Sequence, residues 1–183
     1  MKLITSRSKY ILLLIISIFS YNSYCQHTKL KVGDKIPDFE LYNQYGRTFS
    51  SYNENGKNKP MVIFFYPEDE SKLSTKQFKM VKKNIELFKK HNTIIIGINP
   101  ESIVSHKRFV IKNRLPFSLL FDRNNDVQKM FGIPNQGNSK KPKRYTIIIN
   151  RKRIIINIFH NEKEVHYHIN QALIALNNLN WIY

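Results

Sequence analysis

The chain has 183 residues, with 30 Lys and Arg against 13 Asp and Glu, and a formal net charge of +17. This length suits one folded domain rather than several. The chain holds a single cysteine, Cys25, so an intramolecular disulfide and a Cys-x-x-Cys motif are both excluded.

The first 25 residues have the pattern of a secretory signal peptide. Three basic residues and no acidic residue accompany the almost wholly apolar run 10–19, which is too short to span a bilayer. We expect cleavage after Cys25 and a mature domain of residues 26–183 that is secreted or held in a bacterial periplasm or envelope. Acylation of Cys25, as in a lipoprotein, is the alternative. Cleavage would leave a mature chain with no thiol and no transmembrane segment.

The basic excess persists in the mature domain. Residues 1–25 hold three of the 30 basic residues and none of the 13 acidic ones, which leaves a formal charge of +14. Such a balance can indicate a nucleic-acid or anionic-membrane partner. The lysines are spread along the chain, however, and only 140–144 and 151–153 are dense. No nucleic-acid-binding motif accompanies them, so we expect no specific nucleic-acid partner.

Apolar runs and helical spacings divide the mature domain into alternating strands and helices. The strand 61–65 leads through a polar loop into a helix over 75–90, on which Phe78, Val81, Ile85 and Phe88 recur at helical spacing. Alternation of this kind predicts an α/β fold with helices on both faces of a sheet. The predicted strands are 39–42, 47–49, 61–65, 93–98, 118–121, 145–149 and 154–159; the predicted helices are 75–90, 102–113, 125–131 and 163–179, and 50–59 is a predicted loop.

The segment that joins strand 61–65 to its helix resembles the active-site loop of a peroxiredoxin. The resemblance is greatest to the bacterioferritin-comigratory, or peroxiredoxin Q, branch, whose pattern is Pro, three residues, Thr or Ser, two residues, then the peroxidatic Cys. Pro67 and Ser71 match this pattern, and Thr75 matches the residue that commonly follows the Cys. Ser74 stands where the peroxidatic Cys belongs, and Lys79 stands where the branch often has its resolving Cys.

The resemblance extends roughly over 32–179 and implies a thioredoxin-like, three-layer α/β/α fold with a central mixed sheet. It places Arg144 where the family keeps the Arg that lies over the peroxidatic thiolate. The implied site residues are therefore Ser74, Ser71, Pro67 and Arg144, with no cofactor and no metal. The implied activity is thiol-dependent peroxide reduction. Ser74 argues against that activity, because a hydroxyl lacks the acidity and the oxidised states of a thiol.

Several roles for these residues stay open. Ser74 and Gln77 fit a capping box, in which Ser74 would cap the helix. Ser71, Ser74 and Arg144 are alternatively the lining of a pocket for a small anion or peroxide-like ligand. An esterase-like role for Ser74 is disfavoured, because no Gly-x-Ser-x-Gly elbow is present. A non-enzymatic interaction module that uses its basic surface is the alternative function.

Two further assignments concern aromatic and histidine side chains. Phe65 and Tyr66 are expected in the core and the pocket wall. His160, His166 and His168 are expected on the surface, and their spacing on a helix disfavours a metal site.

Overall fold

Two wholly buried strands form the centre of the computed structural model, which describes residues 29–55 and 59–179. These residues form a seven-stranded mixed sheet in the order β2-β1-β5-β4-β3-β6-β7. The strands are β1 Glu40–Asn43, β2 Thr48–Ser50, β3 Met61–Phe65, β4 Ile94–Asn99, β5 Ser118–Phe121, β6 Tyr145–Ile149 and β7 Ile155–His160. The helices are α1 Ser51–Asn55, α2 Lys72–Lys83, α3 Ile85–Lys90, α4 Ile103–Asn113, α5 Asp126–Met130 and α6 Val165–Leu179.

Strands β3, β4 and β5 run parallel, and the other pairings are antiparallel. Alternate residues of β3 enter different cores, as the two-residue period of a strand requires. Val62 and Phe64 pack beneath α2, α3, α4 and α6, whereas Ile63 and Phe65 face α5 and the segment around Ile36. The predicted thioredoxin-like α/β architecture is confirmed. Helices α2, α3, α4 and α6 pack on one face of the sheet.

The predicted helix 75–90 differs from the structure at its start and in its middle. It begins at Lys72 and divides at Asn84 into α2 and α3. The Asn84 side chain donates to the backbone oxygen of Met80 at 2.9 Å, and a local bond of this kind competes with the helical ladder. The predicted loop 50–59 also contains the short helix α1.

The buried face of α4 leaves out two of its aliphatic residues and includes two polar ones. Val104 and Ile111 are 73% and 59% exposed, while His106, Phe109, Val110 and Asn113 are buried. The polar members of this buried stripe have partners from elsewhere in the fold or from the helix backbone. The apolar residues at helical spacing on α6 predict its buried face: Val165, Ile169, Ala172 and Leu176 are fully buried, and Leu173 is partly buried against the same core.

The predicted signal peptide, with Cys25, lies outside the described residues. Over 29–55 and 59–179, no helix has both the length and the apolar character to cross a membrane.

Candidate functional site

The loop after β3 ends at a capped helix N-terminus. Ser71 has extended backbone angles, and its Oγ accepts a hydrogen bond from the backbone N of Ser74 at 3.2 Å. Ser71 is therefore the N-cap, and Ser74 is the third residue of the helix. The prediction that Ser74 caps the helix is wrong, because the helix starts one turn earlier than its apolar spacing suggests.

Register between two central strands brings Arg144 to this helix. Phe65 at the end of β3 is paired with Tyr145 at the start of antiparallel β6. Arg144 directly precedes β6 and so lies beside the loop that follows β3. Its Nη2 lies 3.4 Å from the Oγ of Ser74, and its Nη1 donates to Oε1 of Gln77.

We call the polar group formed by Ser71, Ser74, Gln77 and Arg144 the Ser–Arg cluster. Ser71 is half-buried, and the other three residues are buried. The Ser71 hydroxyl donates to the Oγ of Ser74 at 2.9 Å. Ser74 is fully buried, and Arg144 is only 2% exposed. Pro67 is buried at the start of the same loop. The structure thus brings together the serines and the arginine that the resemblance singled out, and adds Gln77 as a partner of the guanidinium instead of a cap.

The Ser–Arg cluster carries positive charge that its own hydrogen bonds do not fully satisfy. Among the described residues, Nε of Arg144 and Nε2 of Gln77 are buried without a partner. The carboxylate of Glu162 accepts from the backbone N of Arg144 at 3.1 Å, not from its guanidinium. Burial lowers the pKa of Arg144, while Glu162 and Tyr66 act in the opposite direction. With the N-terminus of α2 beside it, the cluster favours a negative charge near Ser74.

No neighbour activates Ser74 as a nucleophile. The side-chain contacts of its Oγ over residues 29–55 and 59–179 are to Ser71 and Arg144, and neither is a general base. The arrangement therefore does not support an esterase-like reaction. In the same part of the chain, no group of three or more His, Cys, Asp or Glu side chains could hold a metal ion.

A second polar group, which the local sequence does not predict, lies on the other side of the loop. The carboxylate of Asp69 accepts from the hydroxyl of Tyr66 at 2.7 Å and from the hydroxyl of Ser105 at 2.8 Å. It also lies 2.9 Å from Nδ1 of His106 and 3.3 Å from Nδ2 of Asn99. We call this group the Asp69 network; its members are Tyr66, Asp69, Asn99, Glu101, Ser105 and His106.

Within the Asp69 network, the pKa of Asp69 is lowered, whereas the pKa values of Glu101 and Tyr66 are raised. Burial would raise the pKa of the Asp69 carboxyl, but hydrogen bonds from His106, Tyr66 and Ser105 lower it below its ordinary value. Burial raises the pKa of Glu101, and the nearby charge of Asp69 adds to that shift. Burial, followed by Asp69, raises the pKa of Tyr66. The helical spacing of His106 with Phe109 and Val110 was the signal in the sequence that this His is buried.

One histidine assignment is corrected. His160 and His166 have side chains 40% and 52% exposed, but His168 is fully buried. Its Nδ1 lies 2.8 Å from the hydroxyl of Thr146, and its Nε2 lies 2.7 Å from the backbone oxygen of Asn161. Position 168 is three residues after buried Val165 and shares its face of α6. Burial lowers the pKa of His168. Phe65 and Tyr66 are fully buried core residues, as predicted.

Similarity to known proteins covers most of the chain. Residues 32–158 match the sequence profile of the AhpC/TSA family. Peroxiredoxin Q, chloroplastic, of Triticum aestivum is 36% identical over 151 residues, which is 82% of this chain and 69% of that protein. Peroxiredoxin Q, chloroplastic, of Sedum lineare is 35% identical over 151 residues, which is 82% of this chain and 80% of that protein.

Solved structures share the same fold. Peroxidoxin BcpB from Mycobacterium tuberculosis matches with a TM-score of 0.76 and 26% identity, over 82% of this chain and 98% of that one. A Cys-to-Ser mutant of Xanthomonas campestris peroxiredoxin Q matches with a TM-score of 0.70 and 22% identity, over 77% of this chain and 90% of that one. The chain therefore belongs to the AhpC/TSA family and to its branch that resembles peroxiredoxin Q and bacterioferritin-comigratory protein.

Proposed function

We propose that Ser74 occupies the position of the peroxidatic cysteine and that this protein is a member of the peroxiredoxin family that does not reduce peroxides by the thiol mechanism. The observation that supports this proposal is the placement of Ser74 Oγ. It lies in the first turn of α2, 2.9 Å from the hydroxyl of Ser71 and 3.4 Å from the guanidinium of Arg144. The one cysteine, Cys25, precedes the described fold.

The chemistry of serine explains the loss of reaction. Peroxide reduction requires a thiolate that attacks the O–O bond and becomes a sulfenic acid. A helix N-terminus and a buried arginine lower the pKa of a thiol into the useful range, but a serine hydroxyl stays protonated in the same field. It also has no oxidised state equivalent to a sulfenic acid. The Ser–Arg cluster therefore retains an electrostatic environment without the atom that would use it.

The same electrostatic environment favours a bound anion. The guanidinium of Arg144 has no carboxylate partner among the described residues, and the N-terminus of α2 faces the same side chains. We therefore propose that a small anion or peroxide-like ligand binds there without turnover. We also propose export of the protein through residues 1–25, which mass spectrometry of the mature N-terminus would test.

The deciding experiment places a thiol at position 74. Cys25→Ser removes the native thiol, and Ser74→Cys in that background leaves a single thiol beside Arg144. We expect Cys25→Ser to consume no hydrogen peroxide with a dithiol reductant. We expect the Ser74→Cys thiol to titrate below its ordinary value of about 8.5 and to form a sulfenic acid. Thiol alkylation against pH and trapping of the sulfenic acid are the measurements.

A matched control exists in α4. Ser105 is also the third residue of a serine-capped helix, but its hydroxyl contacts the carboxylates of Asp69 and Glu101. A thiol from Ser105→Cys should therefore titrate above the ordinary value, because negative charge disfavours a thiolate. Adding Arg144→Met to Ser74→Cys should raise the pKa of that thiol. Equal titration of the thiols at 74 and 105 would refute the proposed site, and peroxide turnover by the thiol-free chain would refute the proposed inactivity.

A further inference from the structure

The outer face of α2 carries a straight row of lysines. Lys72, Lys76, Lys79 and Lys83 are spaced by four, three and four residues, so they lie on one side of the helix. All four are exposed. At 1.5 Å per residue, the row is roughly 16 Å long. We call it the lysine ridge.

The lysine ridge is not neutralised by the protein. The sequence of α2 contains no Asp or Glu. None of the four ridge lysines has an acidic partner within 29–55 and 59–179. Like charges at successive turns of a helix repel one another. The ridge therefore favours binding of an external anionic surface.

More cations continue the lysine ridge toward α4. The C-terminal ends of α2 and α4 enclose a cleft of about 560 Å³. Its lining consists of Lys79, Lys82, Lys83, Lys112, Asn113 and Arg114. Lys82 donates to the backbone oxygen of Asn113 at 2.9 Å, and Lys112 pairs with Glu70 at 3.0 Å. Arg114 is exposed at the mouth of the cleft.

Exposed apolar side chains flank this cationic surface. Val104 and Ile111 of α4 are 73% and 59% exposed, and they lie on the side of that helix opposite its buried residues. On the other side of α2, helix α6 contains no Lys, Arg, Asp or Glu and exposes Tyr167 and Ile174. A row of cations between exposed aliphatic and aromatic side chains is unsuited to a nucleic-acid backbone alone. It fits a surface that offers both phosphate groups and an apolar layer.

We propose that the outer face of α2, α4 and α6 docks on an anionic lipid bilayer. The lysine ridge contacts the lipid phosphates as point charges, and Val104 and Ile111 reach the boundary of the headgroups. Each cation close to an anionic membrane strengthens binding by about fivefold, and this attraction falls off within a Debye length. This role is independent of the proposed chemistry at Ser74, because the ridge lies on the exposed face of the helix.

The test is co-sedimentation of the full chain with vesicles of phosphatidylglycerol and phosphatidylcholine in equal amounts, against phosphatidylcholine alone. The ridge variant carries Lys72→Gln, Lys76→Gln, Lys79→Gln and Lys83→Gln. The control carries Lys31→Gln, Lys35→Gln, Lys140→Gln and Arg151→Gln, which remove the same charge from exposed positions outside the helical layer. We expect the ridge variant to lose about 100- to 1,000-fold in affinity for the anionic vesicles. We expect the control to lose less than fivefold.

Each other outcome would overturn the proposal. Equal losses in the two variants would show that net charge, not the ridge, controls binding. Binding of wild type to phosphatidylcholine alone as strong as to the mixed vesicles would assign attachment to the apolar run 10–19. Tighter binding to double-stranded DNA or to poly-glutamate than to the anionic vesicles would assign the ridge to another class of partner. Thermal melting of each variant would establish that it is folded.

Discussion

The loop 66–71 lies between two polar groups whose central charged side chains, Asp69 and Arg144, differ in how completely they are hydrogen-bonded. On one side, the carboxylate of Asp69 has four partners, and its backbone N donates to Glu101 at 2.9 Å. On the other side, the guanidinium of Arg144 makes one close and one long contact. Its Nε stays without a partner among the described residues.

This difference distinguishes the residues that hold the loop from the residues of the proposed site. The backbone N of Ser71 donates to the backbone oxygen of Asp69 at 2.6 Å, so fixing Asp69 also fixes the helix cap. The Asp69 network does not include Ser74. The loop can therefore keep its shape whichever side chain stands at position 74, so a substitution there need not move the other residues of the Ser–Arg cluster.

The largest expected effect comes from breaking the Asp69 network. Asp69→Ala removes one partner of a buried pair, because the side chains of His106 and Asp69 are 0% and 1% exposed. It leaves several polar groups buried without a partner, and we expect the free energy of unfolding to fall by about 3–5 kcal/mol. Urea denaturation followed by circular dichroism measures this loss.

The neighbouring residue is the control for that substitution. Glu70 pairs with Arg108 and Lys112 at the surface, and Glu70→Gln should change stability little. Ser74→Ala, within the Ser–Arg cluster, should cost clearly less than Asp69→Ala. If the two alanine substitutions cost the same, the Asp69 network is not what holds the loop.

The sequence predicts the fold well where buried apolar runs dominate. Strands β5 and β6 have the predicted bounds, because 118–121 and 145–149 are mainly apolar and are followed by the polar residues Asp122 and Asn150. The start of α2 was missed because Ser71 and Ser74 are both good N-cap residues, one helical turn apart. Only the extended conformation of Ser71 in the folded loop distinguishes them.

The candidate site likewise has one part that the sequence predicts and one part that it does not. The likeness to a known loop identified Pro67, Ser71 and Ser74, together with Arg144 from a distant strand. The Asp69 network could not be derived from local sequence, because Asp69 and His106 lie 37 residues apart and each alone is typical of a surface. Burial of such residues depends on partners that only the tertiary fold provides.

A second prediction uses pH to compare members of the Asp69 network. The pKa of Asp69 is lower in the folded chain than its ordinary value, so its contribution is present above about pH 4 and is lost as pH falls through the folded pKa. The pKa of Glu101 is raised, so its ionisation reduces stability as pH rises through the folded pKa. The two acids should therefore show opposite pH dependence.

Urea denaturation between pH 3 and 7 would measure both effects. The stability difference between wild type and Asp69→Asn should shrink as pH falls below about 4. Glu101→Gln should gain stability relative to wild type as pH rises above about 4.5. A constant difference between wild type and Asp69→Asn across this range would contradict the assigned hydrogen bonds.

The smallest expected effect isolates the hydroxyl pair of the Ser–Arg cluster, and the chain supplies a close match for it. Ser71 caps α2 and Ser102 caps α4, and each Oγ accepts from the backbone N three residues later at 3.2 Å. Ser71 alone also donates a hydrogen bond from its hydroxyl to the serine three residues later, Ser74.

Ser102→Ala should lower the free energy of unfolding by about 1 kcal/mol, as is usual for a cap. Ser71→Ala should cost more by about 0.5–1.5 kcal/mol, since the partly buried hydrogen bond to Ser74 is lost as well. The double variant Ser71→Ala/Ser74→Ala then closes a cycle in which the coupling energy reports the bond between the two hydroxyls. Equal costs at positions 71 and 102, with no coupling to position 74, would show that the serines form a cap and nothing more.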